Sequence, residues 1–322
     1  MVILSIVFCL LRQYNLYKSI VIVGLVIYKA FESFSEAVYA IIQEQDQLYK
    51  VGISMFIKAI ISLILFLITD YLFKNIILSI LFIGVVNLLV ILIYDIKNIR
   101  KLNFKLEKLN FKKVWMIFKF GFFAFAFSIL TQYVINAPKY SIDTLLSNSD
   151  QTIFGIIFMP ATIIILLGQF ILQPFLLRLK MSLKENKKDF LKLTILLSIA
   201  IAIVGTIFLI FMYFFGTSLL KILYNVELNM YLNALVIIII GGIFYGVSLL
   251  LSTSLTTMRS TFSQLLVFII VTMFSYFIAN YLVSKNEILG ASYAYMYSML
   301  LLLILYIITF SYVLKKYRGD KK

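Results

Sequence analysis

Uninterrupted apolar runs, such as "AIISLILFLIT" at 59–69 and "LLLLILYIITF" at 300–310, recur from one end of this 322-residue chain to the other. No soluble core needs that much apolar surface in stretches of roughly 20 residues, so the sequence reads as an integral membrane protein. Helices are the sensible way to cross: backbone facing lipid must satisfy its own hydrogen bonds, and a barrel would alternate apolar and polar residues with a period of two. Apolar segments fall at 1–11, 19–42, 51–69, 76–94, 114–135, 152–177, 190–215, 231–251, 264–283 and 288–313. They predict an all-α, polytopic transmembrane bundle of about 9–10 helices, nine spanning and one stub.

Net charge is +15, which in a soluble chain would raise the question of nucleic acid. Here the charge falls in the connections, so no nucleic-acid partner is expected. Lys and Arg total 20 in one alternate set of connections (43–50, 96–113, 175–192, 252–263 and the tail from Leu314) and 6 in the other. The positive-inside rule then predicts that the first set, and with it both termini, faces the cytoplasm of a multi-pass plasma-membrane protein. Topology and contact with the anionic lipid bilayer account for such basic runs without a specific ligand.

The run from Lys97 to Lys113 is the most polar connection and the natural seam. It divides the chain into a partial N-terminal bundle (1–95), a basic cytoplasmic linker (96–113) and a six-helix C-terminal bundle (114–322). A transporter built from two similar halves would want six helices in each. The expectation is therefore that about two helices have been lost from the front, where nothing resembles a secretory signal.

The charges inside the apolar segments need an explanation. Lys29, Glu32, Ser33, Glu36 and Gln43 share one helix face, with Lys29 and Glu32 near the middle of the 19–42 span. An unpaired charge there costs at least ~2.5 to 3.5 kcal/mol, so the face must meet water, a partner or a substrate. Two readings stand: a self-neutralised Lys29/Glu32 pair buried against another helix, or a stripe lining an aqueous pathway. Lys58 and Lys119 lie near helix ends, where a lysine can snorkel to the interface. Beyond Lys119, Ser128, Gln132 and Asn136 follow at i+4 spacing and lead to Pro138, Lys139 and Tyr140. Interhelical hydrogen bonding explains such a row as well as substrate contact does. Pro160, Gln169 and Pro174 are expected to interrupt the 152–177 helix, and Gly242 and Gly246 to mark a close helix contact.

Chemistry motifs are missing. The chain has no His and a single Cys, and it carries no phosphate-binding loop, nucleophile elbow or metal-ligand cluster. No catalysis, cofactor or metal is expected, and the energy for any transport must come from gradients or from the substrate.

The stretch "NAPKYSIDTLLSNSDQTIFGIIFMPATIIILLGQFILQPFLLRL", 136–179, resembles the polysaccharide flippases of the multidrug/oligosaccharidyl-lipid/polysaccharide exporter superfamily at Pro138, Lys139, Tyr140, Gly155 and Pro174. Further on, "FFGTSLLKILYNVELNMYLNALVIII" and "GASYAYMYSMLLLLILY" look like that family's connection into its tenth helix and its last helix. The resemblance implies two helical bundles around a cationic cavity that opens alternately to either side. Its cargo would be an undecaprenyl-diphosphate-linked sugar repeat unit for capsule, exopolysaccharide or O-antigen. The partners it implies are that lipid-linked oligosaccharide and, beyond it, a polysaccharide polymerase and export machinery. On this reading Lys29, Lys58, Lys119 and Lys139 would contact phosphate. Ser33, Ser128, Gln132, Asn136 and Tyr140 would meet sugar. Glu32 and Glu36 would tune Lys29 or carry a coupling cation.

Other readings compete. A multidrug exporter of the same superfamily would suit Glu32 and Glu36, though the intramembrane lysines argue against it. A flippase for the peptidoglycan precursor is chemically close. A membrane polysaccharide polymerase usually carries a large extracytoplasmic loop, and the longest connections here fall in the cytoplasmic set.

Overall fold

The computed structural model describes residues 2–11, 15–44, 47–100 and 110–317, and every regular element among them is a helix. Among the described residues, seven helical stretches are long and apolar enough to cross a membrane. The protein is a multi-pass, all-helical membrane protein. It divides into two compact units, Met1–Leu109 and Asn110–Lys322.

In the first unit the stub is α1 (Val2–Leu11), followed by α2 (Leu16–Glu44), α3 (Leu48–Phe73) and α4 (Ile76–Val90). Helix α2 has the length of a span, but Lys29, Glu32 and Glu36 keep it out of the apolar set. The turn between α3 and α4 is two residues long. Lys74 takes the left-handed conformation (φ 47°) and donates its N–H to the Asp70 carbonyl, while the Asn75 side chain accepts from the Ile77 N–H. Both are standard ways of satisfying helix-end groups. Helix α4 then widens into a π turn (Ile91–Asp95) and continues as α5 (Ile96–Arg100). The predicted linker therefore starts too early: residues 96–100 are helical, with Asn98 buried and Ile99 against the unit's small apolar core. Of the rest of that linker, 101–109 lie outside the described residues, and 110–113 form the cap and first turn of the next helix. Helix α4 packs on both α2 and α3, which meet each other far less. A space is left between them.

The second unit comprises α6 (Phe111–Leu145), α7 (Asn148–Leu172), α8 (Leu176–Glu185), α9 (Lys187–Tyr224), α10 (Leu232–Thr257) and α11 (Thr261–Lys316). Side-chain caps start three of them: Asn110 for α6, a Ser147/Asp150 capping box for α7 and Asn186 for α9. Helix α11 breaks at Asn286 and Glu287, inside the connection predicted at 284–287, giving limbs 261–285 and 288–316. The nine expected spans thus map onto α2 and the seven apolar stretches, with α11 counted as two limbs. The expected interruption at Pro160 is corrected. Helix α7 runs through it without a break, and the irregularity comes at the 3-10 turn Gln173–Phe175, which contains Pro174. Helix α10 is the core of the unit, packed by α7, α9 and α11. Gly242 on it lies against Ala161 of α7, where a Cβ added to the glycine would come within 3.3 Å of the alanine Cβ, so the close contact expected of the glycine pair is present.

Candidate functional site

The polar residues of the first unit converge below the space between α2, α3 and α4. Ser35 and Tyr39 stand at i, i+4 on α2, Ser54 and Lys58 at i, i+4 on α3, so each pair occupies one face. Asp95 comes from the π turn. An ideal helix drifts about 40° over each four-residue step, and the wider π turn takes up that drift. Asn87, Ile91 and Asp95 consequently all stay on the buried side. Asp95 is 0% exposed and Lys58 9%.

Lys58 Nζ lies 2.5 Å from Asp95 Oδ2, 2.7 Å from Ser35 Oγ and 2.9 Å from Tyr39 Oη. An ammonium has three donors and no acceptor, so every proton of Lys58 is engaged. The direction of the remaining bonds follows. Tyr39 accepts from Lys58 and donates to Ser54 Oγ at 2.9 Å, and Ser54 donates to Asp95 Oδ1 at 2.5 Å. The ring Lys58, Tyr39, Ser54, Asp95 is closed. Ser35 passes its own proton to the Phe31 carbonyl at 3.2 Å. A buried ion pair is tolerable in hydrocarbon when its charges are paired and its remaining polar atoms bonded, as here. Lys58 does not snorkel, because its partner is in the protein interior.

Above the ring lies a cavity of about 550 Å³ whose lining includes Glu32, Glu36, Lys58, Tyr28, Ser62 and Asn87 among apolar neighbours. Glu32 pairs with Lys29 at 2.5 Å across i, i+3, and both side chains are substantially exposed, 41% and 64%. The pair is self-neutralised, but it is not buried. Lys29 and Ser33 do not line the cavity; Ser35, two residues beyond Ser33, does. With Asp95 opposite Lys58 and Lys29 opposite Glu32, Glu36 is the carboxylate on this lining without a direct ion pair among the described residues. The ionisable groups on this lining are Glu32, Glu36 and Lys58, two carboxylates to one ammonium. The side chain of Gln43 lies outside the described set, and among the described residues no group of three or more His, Cys, Asp or Glu could hold a metal.

The other candidates belong to α6 in the second unit. Ser128, Gln132 and Tyr140 are exposed on it, and the Tyr140 ring lies 5.7 Å from that of Tyr133. Asn136 Nδ2 donates to the Gln132 carbonyl at 2.9 Å, within its own helix. Lys139 turns inward over Phe158 of α7, 4.4 Å from the ring centroid, a cation–π contact. The side chain of Lys119 is outside the described set. One contact at the Pro138 end escaped the sequence reading: Ser141 Oγ donates to Asn280 Oδ1 at 2.8 Å and ties α6 to α11.

The ring residues Asp95, Tyr39 and Ser54, and Ser35 beside them, also escaped it. In the sequence Asp95 is only the last residue of the bundle predicted at 1–95. The available signal was an acid at the junction of an apolar and a basic run, eight residues beyond Asn87.

Fold and site together define a polytopic helical membrane protein with a cavity that holds ionisable side chains among apolar walls. The chain is 30% identical over 300 residues to the capsular polysaccharide biosynthesis protein CapF of Staphylococcus aureus, an alignment that covers 89% of this chain and 73% of that protein. It belongs to the same family of polysaccharide-related membrane proteins. No family model matches the chain, and no solved structure does.

Proposed function

We propose that this chain is a flippase that moves undecaprenyl-diphosphate-linked oligosaccharide repeat units from the cytoplasmic to the outer leaflet of the plasma membrane for assembly of a surface polysaccharide. The observation that carries the reading is the cavity of the first unit, a space of about 550 Å³ that sets Glu32, Glu36 and Lys58 among apolar walls in a membrane protein whose relative is named for capsular polysaccharide biosynthesis. Intramembrane ionisable groups that face a cavity mark pathways far more often than scaffolds.

On this reading the residues divide the work. Lys139, Lys119 and Lys29 supply positive charge for the diphosphate, and Ser33, Ser128, Gln132, Asn136 and Tyr140 meet the sugar. Lys58, with every donor engaged, ties α2, α3 and α4 together under the cavity and does not serve the phosphate. Glu36 and Glu32 carry a coupling cation. The protein acts as a transporter without catalysis, with both termini in the cytoplasm, and hands its cargo to a polysaccharide polymerase and the export machinery.

The test is the leaflet distribution of the lipid-linked oligosaccharide in the native host with this gene deleted, read with a membrane-impermeant glycan probe on intact and inverted vesicles. The expected result is accumulation confined to the cytoplasmic leaflet with loss of surface polymer. A normal distribution overturns the proposal. Transport left unchanged by Glu32→Gln, Glu36→Gln and Lys29→Met, each at normal protein level, removes their role. The acidic lining also favours a second reading, export of a cationic compound. A deletion strain hypersensitive to cationic drugs with normal surface polymer would select it.

A further inference from the structure

Helices α9 and α11 both pack on α10, and between them they leave a trough floored by Val247 and Leu251. Its volume is about 540 Å³. The walls are Leu191, Ile195 and Ile199 on one side and Ile307 and Leu314 on the other. Three hydroxyls lie on them, but each donates to a carbonyl four residues back in its own helix. Thr194 bonds Phe190 at 2.9 Å, Ser198 bonds Thr194 at 2.9 Å, and Ser311 bonds Ile307 at 2.8 Å. What the trough offers an occupant is therefore almost entirely hydrocarbon.

One end is different. Lys315 lines it, and Lys187 and Lys188, at i−4 and i−3 from Leu191, fall on the same face of α9. The Lys187 ammonium bonds the Tyr317 carbonyl, which brings the start of α9 and the end of α11 together there. From Leu191 to Ile199 the apolar part is about 12 Å long, the length of the upper part of an acyl chain. A cationic rim above an apolar slot is complementary to an amphiphile with a negative head.

We infer that this trough is a binding site for an anionic phospholipid, its acyl chain along Ile195, Ile199 and Ile307 and its phosphate at Lys188 and Lys315. The site belongs to the second unit alone and is independent of which molecule the protein carries.

The experiment uses the full chain in nanodiscs of equal phosphatidylglycerol and phosphatidylcholine, released into detergent and weighed by native mass spectrometry. Phosphatidylglycerol should be retained over phosphatidylcholine, and Lys188→Gln and Lys315→Gln should each lower its retention about 5-fold, the effect of one basic residue at an anionic surface. Ser198→Phe and Ser311→Phe fill the slot from opposite walls with every charge intact, and each should abolish the preference; two fillers guard against one failing to fold. Equal retention of the two lipids overturns the site. So does loss on removing lysines with no loss on filling the slot, which would mean a general electrostatic annulus. Displacement of phosphatidylglycerol by an equimolar polyprenyl phosphate would also overturn it, by assigning the slot to a carrier lipid.

Discussion

Among the described residues, the apolar core of the first unit is a cluster of four buried side chains, Val38, Tyr39, Ile42 and Val51, with Ile99 against them, whereas that of the second gathers buried side chains from Val134 to Phe310. In the first, helices are joined by polar pairs: the Lys58 ring, Thr69 to Ser79 at 2.9 Å, and Asn87 to Ser62 at 3.3 Å. In the second, close apolar packing prevails, with glycines of α10 letting α7 and α11 approach. Lipid is as apolar as leucine, so burying leucine gives helices little reason to associate; tight packing and interhelical hydrogen bonds do. The second unit relies mainly on the former and the first on the latter. The arrangement places charge and free volume together in the less densely packed unit, where a conformational change needs fewer contacts remade.

The sharpest way to break this contrast is at Asp95. Asp95→Leu leaves the Lys58 ammonium buried without its counterion and should cost about 3–5 kcal/mol, seen as a large fall in the first unit's resistance to proteolysis in detergent. The double variant Lys58→Met/Asp95→Leu should recover most of that loss. A double variant as unstable as the single would mean that hydrogen bonds, and not the paired charges, hold the three helices.

In the second unit the corresponding weak point is steric. Gly290 follows the α11 break, where Glu287 takes φ 48°, and the Leu282 carbonyl oxygen occupies the space a Cβ would need. Gly290→Ala should cost about 1–3 kcal/mol, the usual range for overpacking, measured as a lower thermal midpoint of the full chain. An unchanged midpoint would show that the two limbs can shift to make room.

Smaller effects sharpen the same comparison. Tyr39→Phe keeps the ring's shape but takes an acceptor from Lys58 and a donor from Ser54, so about 1–3 kcal/mol should be lost, without the collapse expected at Asp95. A thermal cycle of Thr69→Val, Ser79→Ala and the double variant should give a coupling near 0.6 kcal/mol, typical of interhelical bonds in membranes. A coupling near zero would indicate that the Thr69–Ser79 bond does not help to hold the first unit together.

Much of the architecture was legible in the chain because hydrophobic length is a local property. The spans, the break between 283 and 288 and the glycine contact on α10 all follow from residues within a turn or a loop of one another. Pro160 misled because a proline disturbs a helix only where the backbone groups it frees find no other accommodation, and that is decided by neighbours. On α2 the helical period identified a polar stripe and placed Glu32 and Glu36 on it, but assigned Ser33 where Ser35 lines the cavity. Two residues on a helix differ by more than half a turn, and only the neighbouring helices reveal which side faces inward.

By itself, then, the sequence determined that the protein is helical, where its spanning segments lie and that charge sits at membrane depth, since each is set by composition over a window of about 20 residues. What only the tertiary structure decided is which charges meet. Lys58 finds Asp95 across 37 residues and Asp95 finds Ser54 across 41. Those pairings depend on how three helices pack and on a π turn that rotates Asp95 inward, and neither leaves a periodic trace in the chain.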